Sequence, residues 1–393
     1  MRRNGRRAAA STTMALIGAL LVACSAGAAP GCQSDPLTAR SLTQLSSFSD
    51  WLRTHGVRGA VGEVGWPGGG QWESLARQWY TRADEDQVGA FAWSAAQWWP
   101  ASYPLGIYRG AQVTNQSSTP FLAGDQARVV ESHPPLDGVA RGVSVSDGTF
   151  GSSLGDDSTY SSTNRGVYGS NYSYPSAPFL QYLASRGITQ IRMSVMWERV
   201  QPVLGDPLDP TEVARLTQSL DDAASAGLSV VLDLHNYGRY AAGSADGSRH
   251  VLVLGSPNLP NSALDDVWRR IVTAVAGRPI VVGYGIMNEP HDLPGGAVTW
   301  EAASFSAVAA IRESNRTTPI YVGGYAYSKI STFTTEHPRP WIDPRNWPVV
   351  YEAHQYFDTT GTGFYKDPYT TTNTAAVAKG WTACSTAADR PAS

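Results

Sequence analysis

The feature that most constrains this chain is an alternation of short apolar runs with amphipathic stretches of helix length. A run of strand length followed by a crossover helix is the repeating unit of a parallel sheet. From residue 142 the runs are GVSVSD, ITQIRMSVMW, LSVVLDLHNY, RPIVVGYGIMNEP, PIYVGGY and WPVVYEAHQY. Between them, FLQYLASRG reads as a helix closed by Gly187. Residues 210–226 read as a helix opened by Asp209 or Thr211 and closed by Gly227. SALDDVWRRIVTAVAG and residues 300–314 are two more. Ahead of these six units come a helix over 41–56, the strand VRGAVGEVGW, a helix over 71–86 and the strand QVGAFAWSAAQWW. Residues 111–138 read as a polar connection, with a short helix in DQARVVESH. Six units and two make eight, the number that closes a barrel, so the expected fold class is α/β with a (β/α)8 TIM-barrel architecture.

Bulk properties narrow the function. The 393 residues carry a net charge of −3 with a sequence pI near 6.2. A nucleic-acid partner is not expected, because a phosphate backbone asks for a basic face. The 13 Trp and 18 Tyr supply aromatic faces that stack on sugar rings as readily as they fill a core. Arg2, Arg3, Arg6 and Arg7, followed by MALIGALLVA, read as an export signal within residues 1–29, its apolar run too short to span a bilayer. Leu21-Val22-Ala23-Cys24 also has the form of a bacterial lipobox, the alternative being ordinary cleavage near Ala26-Gly27-Ala28. The expected location is therefore secreted, or lipid-anchored through Cys24 at the outer face of a bacterial membrane. Cys32 and Cys384 then remain, and an even pair in an exported protein suggests a disulfide. Residues 30–393 are expected to form one domain and a monomer.

Several strand ends carry residues that do chemistry. Asn288-Glu289-Pro290 follows IVVGYGIM, and Glu63 stands in VGEVG. Arg192 stands in IRMSVMWERVQP, His235 in LDLHNYGRY, His354 and Tyr356 in VYEAHQYFD, and Trp93 in AFAWSAAQWW. Singly, each has an ordinary explanation: a Glu before Pro is usually a solvated loop residue, Arg192 an ion-pair residue, the two histidines satisfied core side chains. Together they resemble a retaining glycoside hydrolase of family 5, the cellulase family, and are most similar to its endo-β-1,4-glucanase branch. The resemblance covers roughly residues 42–108 and 139–365.

That resemblance implies Glu63 as nucleophile and Glu289 as acid/base in a double displacement on a polysaccharide. It implies that Arg192 and Tyr356 hold Glu63 ionised with a lowered pKa, and that Glu289 is raised by its neighbour. Asn288 would meet the sugar 2-hydroxyl, His235 and His354 would bond sugar hydroxyls or the carboxylates, and Trp93 would be the stacking floor. Trp66, which replaces the family's usual small residues after the nucleophile, is a substrate-binding candidate open between cleft platform and rim packing. No cofactor and no metal are expected, since no H-E-x-x-H or similar spacing occurs. Trp98 and Trp99 are open between cleft platform and rim packing, and Trp197 and Glu198 read as structural.

The order of the parts departs from the family. Its members place the nucleophile on the seventh strand, whereas here the segments matching strands seven and eight come first, in 30–110. Residues 139–393 carry strands one to six, so the resemblance implies a circular permutation, which close-set barrel termini permit. GGYAYSKI (323–330) stands where the branch carries Gly-Asn-x-Trp, leaving Tyr325 or Tyr327 in place of a stacking Trp. The Gly/Ser/Tyr-rich stretch 148–174 adds a long loop beside the expected cleft. The expected substrate is thus a cellulose-like glucan, with mannan, xylan, mixed-linkage glucan or an envelope polysaccharide as rivals. A non-catalytic glycan-binding barrel is the alternative of another class.

Overall fold

A computed structural model describes residues 35–111, 120–155, 158–343 and 347–369. The export segment, Cys24, Cys32 and Cys384 lie outside these residues. Eight parallel strands form the barrel: β1 (Arg58–Gly65), β2 (Gly89–Ala96), β3 (Arg141–Val145), β4 (Gln190–Val195), β5 (Ser229–Leu234), β6 (Val281–Gly285), β7 (Ile320–Gly323) and β8 (Val349–Tyr356). Each pairs with its neighbour in chain order, and β1 pairs with both β2 and β8, which closes the ring. The (β/α)8 barrel expected from the alternation is the fold. Its strands are buried on both faces, which is why they read as near-continuous apolar runs.

Besides single turns at Asp147–Thr149 and Trp197–Val200, the helices among the described residues are α1 (Pro36–His55), α2 (Gly70–Glu85), α3 (Ala127–Ser132), α4 (Ala177–Ser185), α5 (Pro210–Ser225), α6 (Asn261–Ala274), α7 (Ala297–Arg312) and α8 (Ile330–Glu336). α1 starts earlier than its apolar spacing predicts. Asp35 caps it, Oδ1 accepting from the N–H groups of Leu37 (3.0 Å) and Thr38 (3.1 Å), with Pro36 in the first turn. α5 is capped by Asp209, not Thr211. The connection before β3 is more ordered than its polar sequence predicts, since Tyr108–Gly110 pairs antiparallel with Phe121–Ala123. A hairpin of Arg239–Gly243 and Arg249–Val253 after β5 is also additional to the expected elements.

α1 packs beside β8 although it precedes β1. Trp51 meets Tyr351 of β8 and Phe333 of α8 edge-to-face, at 5.1 and 5.2 Å between centroids. Arg40 donates to the carbonyls of Phe357, Asp358 and Thr359, the loop after β8. Tyr369 donates its hydroxyl to Asp35 Oδ2 at 2.7 Å. The first and last described residues therefore meet at the rim between β8 and β1.

Inside the barrel, Ala60, Phe91, Val231, Tyr321 and Val350 form an apolar plug. Side chains alternate along a strand, so residues two apart share the inward face. Two positions above Val231 and Val350 stand Asp233 and Glu352, and two above those His235 and His354. The apolar tier thus supports a buried polar tier that opens at the C-terminal rim.

Candidate active site

Glu63 reaches this tier through an irregularity in β1. Val61 pairs with Ala353 but Glu63 with His354, so Gly62 is the extra residue of a bulge. Bulges re-aim a side chain, and here the result is a Glu63 carboxylate inside the barrel mouth. Its Oε1 lies 3.2 Å from Arg192 Nη1, and its Oε2 accepts from the Tyr356 hydroxyl at 2.6 Å. Glu289 follows β6 with its backbone at φ 42, a region few side-chain-bearing residues occupy. Its Oε1 lies 2.8 Å from His354 Nδ1, which also lies 3.6 Å from Glu63 Oε2. One carboxylate oxygen of Glu63, one of Glu289 and a ring nitrogen of His354 all fall within 4.8 Å of one another.

Beneath them lies a buried charge network. Arg192 Nη2 donates to Asn288 Oδ1 (2.8 Å) and lies 3.0 Å from Asp233 Oδ1 and 3.1 Å from Glu352 Oε1. His354 Nε2 lies 3.1 Å from the same Glu352 oxygen. On the other side His235 Nδ1 meets Asp233 Oδ2 at 2.7 Å, and Asn288 Nδ2 lies 3.2 Å from His235 Nε2. The half-buried Trp93 stacks on His235, with centroids 5.8 Å apart and planes 16° apart, and its Nε1 donates to Tyr103. A cleft of about 740 Å³ opens beside His235 and Tyr237, walled by Thr149, Ser152, Leu154 and Thr159.

The protonation pattern follows from burial and neighbours. Burial pushes the Glu63 carboxyl up, and the Glu289 charge adds to that, while His354 and Arg192 pull it down. This corrects the expectation of a lowered Glu63: removal from water outweighs the cations. Burial opposes a charged His354, but Glu63 and the bonds to Glu289 and Glu352 push the ring up to about 10. Burial likewise opposes the Glu352 charge, yet Arg192 and His354 hold that carboxyl below its ordinary value. His354 is therefore an imidazolium among three carboxyl groups. The Glu63, Glu289 and His354 donors are close enough for a cation, which the ring could ligate only by giving up a proton.

Comparison with known proteins agrees with this geometry. A family model described as cellulase (glycosyl hydrolase family 5) matches residues 150–390. The chain belongs to the cellulase family, glycosyl hydrolase family 5. It is similar to the manganese dependent endoglucanase Eg5A of Phanerodontia chrysosporium, 27% identical over 212 residues that make up 52% of each chain. It is similar to endo-beta-1,4-glucanase B of Emericella nidulans, 26% identical over 206 residues, 51% of this chain and 57% of that one. The chain thus spans little more than half the length of these curated relatives. Among solved structures it resembles Pseudomonas stutzeri endoglucanase Cel5A in complex with cellobiose, with 34% identity and a TM-score of 0.50, covering 59% of this chain and 65% of that one. The span matched to the cellulase family begins after β3 and so leaves out Glu63 and Trp93.

Of the residues picked from sequence, Glu63, Glu289, Arg192, His235, Asn288, His354, Tyr356 and Trp93 converge at one rim. Trp66 does not. It is fully buried, packed against Tyr80 (5.7 Å) and Phe357 (6.1 Å), so it is a core residue with no face for a sugar. Trp99 stacks on Tyr103 at 3.8 Å and donates to Ser94, and both Trp98 and Trp99 meet Phe150, which makes them rim packing. Glu198 is buried and accepts from Asn236 and the Ala241 N–H, a structural role as read from sequence. Sequence reasoning missed Glu352, Asp233 and Tyr237. The two acids were findable, since Glu352 precedes His354 and Asp233 precedes His235 by two positions on the inward face.

Proposed function

We propose that this chain is an exported, circularly permuted retaining endo-β-1,4-glucanase. The observation that carries the reading is the pair of strand-end carboxylates with oxygens within 4.8 Å, each gripped by different partners. Retaining glycosidases hold their two carboxyl groups about 5–5.5 Å apart, close enough for one to attack the carbon whose leaving group the other protonates. In the first step Glu63 forms a bond to the anomeric carbon while the glycosidic C–O bond breaks, and the Glu289 proton goes to the leaving oxygen. In the second, water attacks the same carbon, its proton passes to Glu289, and Glu63 departs as a carboxylate. The partners suit these roles. Arg192 and the Tyr356 hydroxyl fix both oxygens of Glu63. His354 occupies Oε1 of Glu289, which leaves Oε2 to carry the proton toward the leaving group. Trp93 supplies the floor on which a sugar ring stacks, and His235 lines the cleft beside it.

Two observations support the permutation. Glu63 enters the site from the first barrel strand of the chain, where the resemblance places the nucleophile on the seventh, and the described ends meet between β8 and β1 through Tyr369 and Asp35, as rejoined termini require. A family match that starts at residue 150 is what a front piece moved out of order would produce. The Arg-rich, apolar start of the chain supports export, and no helix among the described residues is long and apolar enough to cross a membrane.

Tyr325 and Tyr327 favour keeping a second β-glycan in view. Tyr325 accepts from the Leu293 N–H, and Tyr327, 39% exposed, has one face stacked on His291 at 3.9 Å, so two tethered phenol rings stand where the resemblance places a stacking Trp. The test is hydrolysis of a panel of cellulosic, mixed-linkage, mannan, xylan and envelope glycans, with Glu63→Ala as the blank. Turnover of β-1,4-glucan abolished in the blank supports the reading. Turnover confined to another glycan changes the substrate, and binding without turnover anywhere overturns the enzyme.

A further inference from the structure

Glu352 takes no part in the two chemical steps, yet the buried network converges on it. Its Oε1 faces both Arg192 Nη2 and His354 Nε2 at 3.1 Å, while Oε2 has no hydrogen-bond partner among the described residues. The backbone beside it is Gly62, where a Cβ would stand 2.3 Å from Glu352 Cδ. The bulge that aims Glu63 therefore uses a glycine because this carboxyl fills the space. A buried carboxylate costs several kcal/mol unless paired, and an apolar side chain would suit a core better. Glu352 reaches the reacting pair only through its two cations: Arg192 contacts Glu63, and His354 contacts Glu289.

We propose that Glu352 is a positioning residue that keeps His354 cationic, with Nδ1–H turned to Glu289, and thereby sets the pH range in which Glu289 gives and takes its proton. The proposal rests on the roles of Glu63 and Glu289 given above. The charges around His354 are Glu63 from β1, Glu289 from the segment after β6, and Glu352 from its own strand. Arg192 from β4 shares Glu352, and the Asp233–His235 pair of β5 touches the network through Arg192 and Asn288. With Nε2 tied to Glu352, the ring has one remaining nitrogen, and it points at the acid/base.

Glu352→Gln tests this, because the amide keeps the shape and an accepting oxygen and removes only the charge. Taking away a negative charge lowers the pKa of its neighbours. Because a neutral His354 no longer holds the Glu289 proton off, the alkaline limb of kcat/KM should move to higher pH by about one unit, the order expected of a charge a few ångströms away, with kcat reduced and KM little changed. Followed by NMR, the His354 ring should lose its proton at lower pH in the variant than in the wild type. A variant that keeps the wild-type limb and the wild-type His354 titration overturns the proposal, whatever its activity or melting temperature. If the glutamine variant does not fold, Glu352→Asp decides: a carboxylate drawn back from Nε2 should also let the His354 ring lose its proton at lower pH, and a titration identical to the wild type overturns the proposal. If no glycan is turned over, the enzyme reading fails, and the His354 titration still judges Glu352.

Discussion

Replacing Arg192 with Met tests whether one guanidinium holds the polar tier together. The side chain is fully buried, 3.2 Å from Glu63, 3.0 Å from Asp233 and 3.1 Å from Glu352. Methionine keeps much of the bulk and removes the charge. Removing one partner of a buried pair costs about 3–5 kcal/mol, because the other charge stays buried without compensation. At about 2–4 °C per kcal/mol for a domain of this size, the loss in Tm is on the order of 10 °C. The loss also depends on pH in a definite direction. In the wild type Arg192 and His354 hold Glu352 below its ordinary value. Its contribution is thus present above the unfolded pKa and lost as pH falls through the folded one. Without Arg192, burial dominates and the folded carboxyls rise above their unfolded values. Their contribution is then present below the unfolded pKa and lost as pH rises through the folded one. The Tm gap between Arg192→Met and wild type should therefore widen from about pH 4 to about pH 7, read by calorimetry at both. A gap that is the same at both, or worth less than about 1 kcal/mol, would refute the reasoning.

Trp66→Ala should cost about 3–5 kcal/mol in stability with KM unchanged, while Trp93→Ala should raise KM with a smaller loss of Tm; a raised KM for Trp66→Ala would return that side chain to the cleft. Glu289→Ala should lose less activity on activated aryl β-glycosides, whose leaving groups need little protonation, than on glycan, whereas Glu63→Ala should lose both. Equal losses for the two variants on both substrates would contradict the roles. A chain opened after α3, between Pro134 and Pro135, with residue 369 linked to residue 35, should fold and keep kcat within a few-fold, since only loop connections change. Misfolding of that chain would count against the permutation.

The barrel was legible because its strands are buried on both faces, so each appears as an unbroken apolar run such as IVVGYGIM or WPVV. The converging site was legible because its members stand at strand ends, where a barrel gathers them. Trp66 misled for a geometric reason. It follows the last residue of β1, where the chain turns outward, and its ring goes between α2 and Phe357 instead of into the mouth. Glu352 escaped notice because it sits below the rim, though its spacing from His354 marks the inward face. The direction of the Glu63 shift was not legible, since it depends on how completely the carboxyl leaves water, a property of packing around it. The hairpin after β5 had a signal in Asp246-Gly247, with Gly247 at φ 82, but weak alternation in its strands hid it.

The central claim is that Glu63 attacks and Glu289 protonates within one retaining site. The most direct measurement is proton NMR of the first product released from a β-linked glucan, before mutarotation equalises the anomers. Two displacements at one carbon return the starting configuration, so the account predicts the β-anomer first. An α-anomer appearing first would mean that water, not Glu63, makes the attack, and would contradict it.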